Sequence, residues 1–437
     1  MERESDMVWE QEGGRMQVER TLTVKYAALQ GAYWFLAAVG LAFVTPLLEG
    51  KGYSGLEIGY LNAVKYLSVI VFQVWLAAFS DRHAKTIPLQ WIMLLLGGLG
   101  IFAAGLLWWI GRNFWVAVVI FILYGMAVNC LSAIVDSLSV QYMNHGRCMN
   151  YTVSRAVGSA SWAVACVLLG VFSDYFGVNQ ILLVQIAATV FFMVIVLLMD
   201  PVDFSCDIKT DGNAQNANRS NRENDTVHSS LYILRNFPKY VLFLLGCMFV
   251  FMGYNLNATY MIDIIHHAGG NHTAFGIGEF VLAASEVPFA LVFVYVRRKI
   301  SVDKMMVVCA LFCTLRAAAT TFAPSVTLII LSQGFEILGL SIFYAASVYF
   351  VMENLPDSDV IKGVSFINVA SVGVGQMIGS VLCGIIKSTF GLWNLLYISI
   401  AVSFVGVLIM IGMVKAPIHR KRNEICMNDS YTVLQEK

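Results

Sequence analysis

Charged residues are scarce in this sequence. Asp, Glu, Lys and Arg make up only 13% of the 437 residues, whereas 58% are hydrophobic. A soluble globular domain carries about 25% charged residues, so an ordinary soluble protein is excluded. The apolar residues are grouped in runs long enough to cross a bilayer, and the sequence therefore predicts a polytopic membrane protein.

Motifs of catalysis and of metal binding are also missing. The sequence contains no Gly-rich phosphate loop with a Lys, no metal-ligand cluster and no nucleophile elbow. Its nine cysteines form no CxxC pair, and most of them, such as Cys166, Cys247 and Cys383, fall in apolar segments. We therefore expect no enzyme activity, no cofactor, no metal site and no hydrolysis of ATP by this chain.

Twelve apolar segments are each long enough to cross about 30 Å of hydrocarbon. They are predicted at 22–47, 55–79, 87–109, 114–140, 151–173, 178–199, 238–262, 273–296, 302–322, 325–352, 360–387 and 391–414. One long polar stretch separates the first six from the last six and has the composition of a flexible tether. The predicted organisation is a six-helix bundle at 1–200, a cytoplasmic linker at 201–236, a second six-helix bundle at 237–415 and a cytoplasmic tail at 416–437.

The Lys and Arg residues are distributed unevenly between the loops. Of the 28, only three fall in the loops of one side and three lie inside segments: Lys51, Arg112 and Lys387, and Lys65, Arg155 and Arg316. The remaining 22 of the 28 lie on the other side, together with both termini. Basic residues in short loops stay in the cytoplasm, so we expect cytoplasmic termini in a plasma or inner membrane.

A repeat relates the two groups of six segments. The stretch 170–179 recurs at 384–394, with Gly, Phe and Gly at a constant offset of 214, and each copy marks the turn between a fifth and a sixth segment. Gly125 and Gly339 share this offset in the fourth segments. Parallel six-helix repeats resemble the major facilitator superfamily, which implies an all-α membrane protein with twelve helices in two pseudo-symmetric bundles and a site between them.

The loop after the second segment supports this resemblance. It reads 80-SDRHAKT-86, similar to the loop signature of that superfamily, in which an acid at a helix end precedes basic residues. The resemblance implies that Asp81 and Arg82 act in gating between two packings of the halves.

Two charged residues flank the turn between the fourth and fifth segments. Asp136 and Arg155 are almost equidistant from His145 and Gly146, which places both about 10 to 15 Å inside the membrane if the segments are antiparallel helices. Bare lipid is costly for either charge, so both must face protein or water. An ion pair between them is possible on these grounds, either as a purely structural clip or as part of a binding site.

Arg155, Gly158 and Trp162 share one face of the fifth segment, as a guanidinium, a gap and an indole plane. With Ile134-Val-Asp136 in the fourth segment, this pattern resembles the lactose permease branch, the oligosaccharide:proton symporters. That branch carries a carboxylate in the fourth helix and Arg-x-x-Gly-x-x-x-Trp in the fifth. The resemblance implies that Asp136 and Arg155 bind hydroxyls of the substrate and that Trp162 stacks on its ring.

The second group of segments has further intramembrane charges. Arg316 and Glu336 lie eight and twelve residues from Pro324, a separation that a long arginine can span, and Glu279 and Glu286 share a helix face. Carboxylates in such surroundings can hold and release a proton, as a proton-coupled carrier requires.

The permease pattern is only partly present in this group. Gly278-Glu279, Arg316 and Tyr254 match it, but Asn255 replaces an acid. The Lys, His and Glu of the permease tenth helix fall on Gln333, Glu336 and Gly339. Because the coupling acid is missing at its place, Glu336 or Glu286 would have to take the proton. Lys65 has no counterpart, and it could pair with an acid, receive a substrate carboxylate or snorkel to the interface.

These observations predict a proton-coupled symporter of a small polar solute, such as a sugar, glycoside, nucleoside or aromatic acid. An exporter is the first alternative, although the fifth segment lacks the prolines typical of drug/proton antiporters, and a transport-inactive sensor is the second. We expect the partners to be the substrate, protons and the lipid bilayer, without nucleic acid, and the chain to be a monomer. The predicted substrate-binding residues are Lys65, Asp136, Arg155, Trp162, Tyr254, Asn255, Glu279 and Gln333, and the predicted coupling residues are Glu286, Arg316 and Glu336.

Overall fold

The computed structural model describes residues 2–83, 86–145, 147, 149–201, 230–356 and 359–416, with side chains from Arg20 onwards except at a few helical positions that include Asp81. Most of the predicted linker and of the predicted tail therefore lies outside the described residues. We call the helices before residue 202 the first half and those after residue 229 the second half.

Long helices make up almost all of the described chain. In chain order they are α1 (Glu2–Leu41), α2 (Gly55–His83), α3 (Leu89–Trp109), α4 (Phe114–Tyr124 and Cys130–Asn144), α5 (Tyr151–Phe176), α6 (Ile181–Leu197), α7 (Pro238–Ala258), α8 (His272–Arg297), α9 (Val302–Phe322), α10 (Val326–Ser332 and Leu340–Asn354), α11 (Val360–Asn368 and the part of Gln376–Lys415 before Gly391) and α12 (the part of Gln376–Lys415 after Gly391). Short helices at Val44–Gly50, Ser230–Asn236 and Met261–His267 lie next to α1 and α7.

Nine helices of the described residues are long and apolar enough to cross a membrane, or ten if the bent pair Arg20–Leu41 and Val44–Gly50 forms one span. Two features connect this count with the predicted twelve. The 54-residue span Lys362–Lys415 holds two crossings, because Gly391 breaks it at φ 82°. Helix α8 has 26 residues but is not among the nine, and it carries two glutamates along its length.

The repeat seen in the sequence has a structural basis. Gly177 and Gly391 end α5 and α11 with φ angles of 87° and 82°, a backbone conformation that glycine adopts without a steric penalty. Gly125 and Gly339 also occupy matching places. Gly125 begins a π-helical segment inside α4, and Gly339 follows a 3₁₀ segment inside α10. The same kind of residue therefore interrupts both fourth helices.

The two halves pack on each other through two equivalent helix pairs, α2 with α11 and α8 with α5. A Cβ at Gly59 would lie 2.6 Å from the Ser380 carbonyl oxygen, and one at Gly384 would lie 2.8 Å from the Gly55 carbonyl oxygen. In the α5–α8 pair, Gly170 faces the backbone of His272 in the same way. Small residues allow membrane helices to approach this closely, and here they bring the two halves together around a pseudo-twofold axis.

The two ends of the molecule differ. The α2–α3 and α4–α5 turns lie at one end, called the basic end because basic residues of the short loops, such as Arg82, Arg147 and Arg298, lie there. The α1–α2, α5–α6, α7–α8 and α11–α12 turns lie at the opposite end, where Trp109, Trp115 and Tyr175 are 82%, 76% and 81% exposed. Exposed aromatic rings at helix ends are typical of a membrane–water interface.

Candidate functional site

Asp136 of α4 is held by neutral side chains of two other helices. Its Oδ1 accepts a hydrogen bond from Gln30 Nε2 at 2.9 Å and one from the Tyr151 hydroxyl at 3.2 Å. Gln30 Nε2 also contacts the Tyr26 hydroxyl at 2.9 Å, and that hydroxyl donates to the Val135 carbonyl. The carboxylate is thus fixed between α1, α4 and α5 and remains only partly buried.

Arg155 of α5 is oriented by a hydroxyl and an indole. Its Nη1 donates to Ser159 Oγ at 3.0 Å, and its guanidinium carbon lies 4.3 Å from the centre of the Trp34 ring. Gly158 makes room for this indole, because a Cβ at Gly158 would lie 2.5 Å from Trp34 Cδ1. Trp162 packs edge-on against Trp34, with ring centroids 5.9 Å apart. The predicted face of Arg155, Gly158 and Trp162 therefore exists, with Trp34 of α1 placed against all three.

Asp136 and Arg155, both among the described residues, do not form the direct ion pair that the sequence allowed as a possibility. Instead, Asp136 contacts Gln30 of α1, and Arg155 contacts Trp34 of the same helix. Trp34 Nε1 donates to Gln30 Oε1 at 3.1 Å, which links the two residues that contact Arg155 and Asp136. The result is a continuous chain, Asp136–Gln30–Trp34–Arg155, and we call these four residues the α1 bridge. It leaves an acid and a base without each other, available to a solute.

The charged cluster of the second half is more deeply buried. Arg316 and Glu336 are both 1% exposed, and Arg316 Nε lies 3.6 Å from Glu336 Oε2, as the sequence predicted. Arg316 Nη1 donates to Gln333 Oε1 at 2.9 Å, and its guanidinium carbon lies 4.1 Å from the Tyr254 ring centre. Glu336 Oε1 accepts from the Leu340 backbone N–H at 3.1 Å. Glu336 therefore neutralises Arg316 within its own half.

The two acids of α8 have a different environment. Glu279 and Glu286 are partly buried, and neither has a hydrogen bond or an ion pair in the described part of the chain. Glu279 interacts electrostatically with Arg316 and Glu336, whereas Glu286 interacts with Glu336 and also with Arg155 of the other half. Glu286 thus connects the charged cluster of the second half with the α1 bridge of the first.

Asn255 of α7 and Tyr66 of α2 approach each other across the two halves, and Lys65 is the chain neighbour of Tyr66. Asn255 Oδ1 accepts from Ser380 Oγ at 3.1 Å and from Thr259 Oγ1 at 3.2 Å, and its side chain also interacts with Tyr66 of the first half. Lys65 is 2% exposed, and its Nζ lies 5.1 Å from the centre of the Tyr66 ring.

Ion pairs between the halves close the end opposite the basic end. Lys387 Nζ contacts Glu49 Oε1 of the first half at 2.8 Å and also forms a close ion pair with Asp263. Its ammonium lies over the ring of Tyr260, whose hydroxyl donates to the Gly55 carbonyl oxygen at 2.8 Å.

A helix cap strengthens the same closure. Asp174 at the end of α5 accepts hydrogen bonds from the backbone N–H groups of His272 and Thr273, at 3.0 and 2.8 Å, at the start of α8. A carboxylate is favourable at a helix N-terminus because it satisfies free N–H groups there.

Among the described residues, no ion pair links the two halves at the basic end. The ion pairs found there stay inside one half: Lys25 and Arg147 with Asp200, Lys239 with Asp303, and Arg297 with Glu353. Ion pairs of the described residues therefore link the halves at one end and not at the other. Arg82 is exposed at the basic end, and the side chain of Asp81 lies outside the described residues, so their predicted gating role stays a prediction.

Two cavities of about 520 and 430 Å³ do not coincide with these charges. One lies between α1, α5 and α6 and the other between α8, α9 and α10, and their linings are almost wholly apolar. Charge and hydrogen bonding, rather than enclosed volume, define the candidate site. Sequence reasoning missed Gln30, Trp34 and Tyr151, and the only signal was a lone glutamine in the apolar run of α1.

Comparisons with known proteins agree with this architecture. Residues 26–414 match the family described as "MFS_1 like family". The crystal structure of the nucleoside transporter NupG in a mutant form has a TM-score of 0.76 at 12% identity, covering 90% of this chain and 99% of that one. The crystal structure of NupG itself gives 0.73 at 13% identity, with 91% and 100% covered.

A bacterial homologue of the iron transporter ferroportin in an inward-facing state gives a TM-score of 0.62 at 16% identity, with 91% of this chain and 98% of that chain covered. No curated protein matches the sequence significantly. At these identities the structural likeness shows the fold, and it leaves the transported solute open.

Proposed function

We propose, given that this chain belongs to the MFS_1 like family and is a secondary transporter of the major facilitator superfamily, that it carries a small polar solute into the cell together with protons. Transport would proceed by alternating access, in which the two halves rock around a site at their interface. The solute would bind between the α1 bridge and α8.

One observation carries the proposal. Glu286 of the second half lies in the electrostatic reach of Arg155 of the first half, and no described residue gives Glu286 a hydrogen bond or an ion pair. A solute that engages Arg155 changes the field at Glu286, and a proton on Glu286 changes the field at Arg155. Each binding event therefore alters the other, which is the reciprocity that coupling requires.

The geometry of the α1 bridge supports a polar solute with a ring. Asp136 accepts hydrogen bonds from hydroxyl groups, and Arg155 donates them. The indoles of Trp34 and Trp162 lie next to each other, and such rings can pack on the apolar face of a sugar or on a nucleobase. NupG is a nucleoside transporter, so nucleosides are the first solutes to test, followed by glycosides.

The two ends indicate the state of the carrier. Basic loops are retained in the cytoplasm, so we assign the basic end to the cytoplasm and both termini with it. The ion pairs of Lys387 then close the outer side, and the described conformation is inward-facing. A plasma or inner membrane is the expected location.

Uptake into proteoliposomes tests the function. Purified full-length protein would be reconstituted with an acidic exterior, and labelled uridine and methyl glycosides would be offered outside. We expect accumulation above the external concentration, abolished by a protonophore. Accumulation that requires the opposite gradient would make the protein an exporter, and no movement with either gradient would favour a sensor.

Matched variants control this measurement. Arg155→Ala should lose uptake, whereas Lys25→Met, which removes an ion pair at the basic end of the same half, should retain it. Equal uptake by empty liposomes and by protein-containing liposomes would contradict the proposal directly.

A further inference from the structure

Lys65 is a buried charge that the mechanism above does not use. It lies ten residues into α2, which places it about 15 Å from the start of the helix at about 1.5 Å per residue, near the middle of the membrane. The side chain is 2% exposed. An ammonium taken out of water without a partner costs several kcal/mol, so its position requires an explanation.

Two structural explanations fail. No described carboxylate lies within ion-pair distance of Lys65. A snorkelling lysine would place its ammonium in the interface, but this side chain is buried and starts in the middle of a long crossing. The contact with the Tyr66 ring, at 5.1 Å, is a weak interaction and does not neutralise the charge.

Lys65 lies next to a residue that reaches the other half. Tyr66 is its neighbour in the chain and interacts with Asn255 of α7. One turn away on the same side of α2 lies Asn62, a second buried polar residue. The stem of Lys65 packs against Gly125 of α4 in its own half, and its ammonium lies near the Tyr66 ring, which interacts with α7 of the other half. The ammonium therefore lies close to the interface between the halves rather than on a lipid-facing surface.

We propose that Lys65 binds an anionic group of the transported solute, and that this solute is a carboxylic acid. The proposal rests on the function proposed above and narrows its substrate class. A single ammonium fits a singly charged carboxylate. A phosphate site normally gathers several donors, often with an arginine fork, and Lys65 has no second cation beside it in the described part of the chain.

The charges of the candidate site agree with this assignment. In the first half, Lys65 and Arg155 outnumber Asp136, whereas in the second half Glu279, Glu286 and Glu336 outnumber Arg316. A carboxylate would compensate the excess positive charge of the first half, and protons would compensate the excess negative charge of the second. An acid and protons would then move through the membrane together.

Binding of matched solute pairs tests the proposal. Full-length protein in detergent would be titrated calorimetrically with uridine and orotidine, with glucose and glucuronate, and with benzamide and benzoate. We expect at least one acid to bind about 10-fold or more tightly than its neutral partner, the size of one charge-assisted hydrogen bond. Lys65→Met should remove this preference, and Lys25→Met should keep it.

A second measurement separates a binding role from a structural one. Lys65→Met removes an unpaired buried charge, so the melting temperature of the variant without solute should rise. A lysine that holds the fold together would give a lower melting temperature. Three results would each overturn the assignment. The melting temperature could fall in Lys65→Met, or the preference for an acid could survive this substitution. The wild-type protein could also bind no acid more tightly than its neutral partner.

These outcomes remain distinct from those of the transport test. Proton-driven uptake of uridine with no preference for orotidine would remove Lys65 from the site and leave the transport function standing. Lys65-dependent binding of an acid without any uptake would remove the symport function and keep the anion site.

Discussion

The first half of the molecule holds its charges apart, whereas the second half brings them together. Asp136 and Arg155 are separated by the α1 bridge and are partly accessible. Arg316 and Glu336 form a pair that is almost completely buried. Charges that already form an ion pair bind a solute weakly, whereas charges that are positioned by neutral side chains and have no counter-charge can bind one. We infer that the first half binds and that the second half couples.

The same contrast appears between two equivalent helices. Helices α2 and α8 make the same glycine contacts with the other half, so their positions in the repeat correspond. In its middle α2 carries a lysine, whereas α8 carries two glutamates without ion-pair partners in the described chain. The repeat therefore preserves the packing of the helices and changes the sign of the charge that they carry into the site.

Removing the guanidinium of Arg155 should have the largest effect on transport. Arg155→Ala takes away a donor that the α1 bridge holds in place, and we expect solute affinity and uptake to fall at least about 100-fold, since bonds to a charged group are the strong ones. Asp136→Asn should behave similarly. The measurement is uptake, with membrane insertion checked by the elution profile of solubilised protein.

Ser159→Ala is the matched control for this experiment. It removes only the hydroxyl that accepts from Arg155 Nη1 and leaves the indole contact in place. Uptake should fall modestly. Normal transport by Arg155→Ala would reduce Asp136 and Arg155 to structural residues and end the contrast between the halves.

Neutralising Glu286 and Glu336 one at a time should distinguish an acid that carries the coupled proton from an acid that only pairs with Arg316. Glu286→Gln is expected to abolish accumulation driven by a pH gradient while exchange of solute without a gradient continues. Glu336→Gln removes the counter-charge of buried Arg316, so it should destabilise the protein by about 3 to 5 kcal/mol. Uptake, exchange and thermal unfolding would be measured on both variants.

Either acid can be excluded by this pair of variants. If the Glu336→Gln protein is stable and has lost only gradient-driven accumulation, then Glu336, and not Glu286, is the residue that carries the coupled proton. Unchanged accumulation in Glu286→Gln would remove Glu286 from the proton path.

Breaking the closure tests how the halves move. Lys387→Met leaves Glu49 and Asp263 facing each other without their cation, so the closed end should open more often. Spin labels at Asn179 and Asn394, exposed residues of the two halves at this end, should show a longer distance population. Arg112→Met is the control, because its ion pair with Glu57 stays inside the first half. Identical distance distributions in both variants would assign Lys387 a local role only.

The sequence predicted the fold better than it predicted the partners within the site. Rare charges in apolar helices are conspicuous, and Asp136, Arg155 and Glu286 could be found for that reason. Gln30 and Trp34 are neutral residues of a kind that also packs inside helix bundles, so only the isolation of Gln30 in an apolar run marks one of them. Their role depends on how closely α1 approaches α5, a distance set by Gly158.

The closure was hidden for a related reason. Glu49, Asp174 and Asp263 lie at helix ends, where acids are common and usually solvated. Only the contact of α2 with α11 and of α5 with α8 brings them to Lys387 and to the start of α8. A single sequence contains no signal for a pair of residues more than 300 positions apart, such as Glu49 and Lys387.

The smallest predicted effect is also a sensitive test of the α1 bridge. Gly158→Ala adds one methyl group, which would lie 2.5 Å from Trp34 Cδ1, so the indole must move away from Arg155. We expect solute affinity to fall by about 10-fold, roughly the contribution of one aligned hydrogen bond or ring contact, measured by calorimetric titration. Gly98→Ala in α3 is the matched control, because nothing lies within 4 Å of its added Cβ. That substitution should keep affinity and raise stability by about 0.5 to 1 kcal/mol, because alanine favours a helix over glycine. Full affinity in Gly158→Ala would mean that Trp34 need not touch Arg155, and the first half would then hold its charges open by some means other than α1.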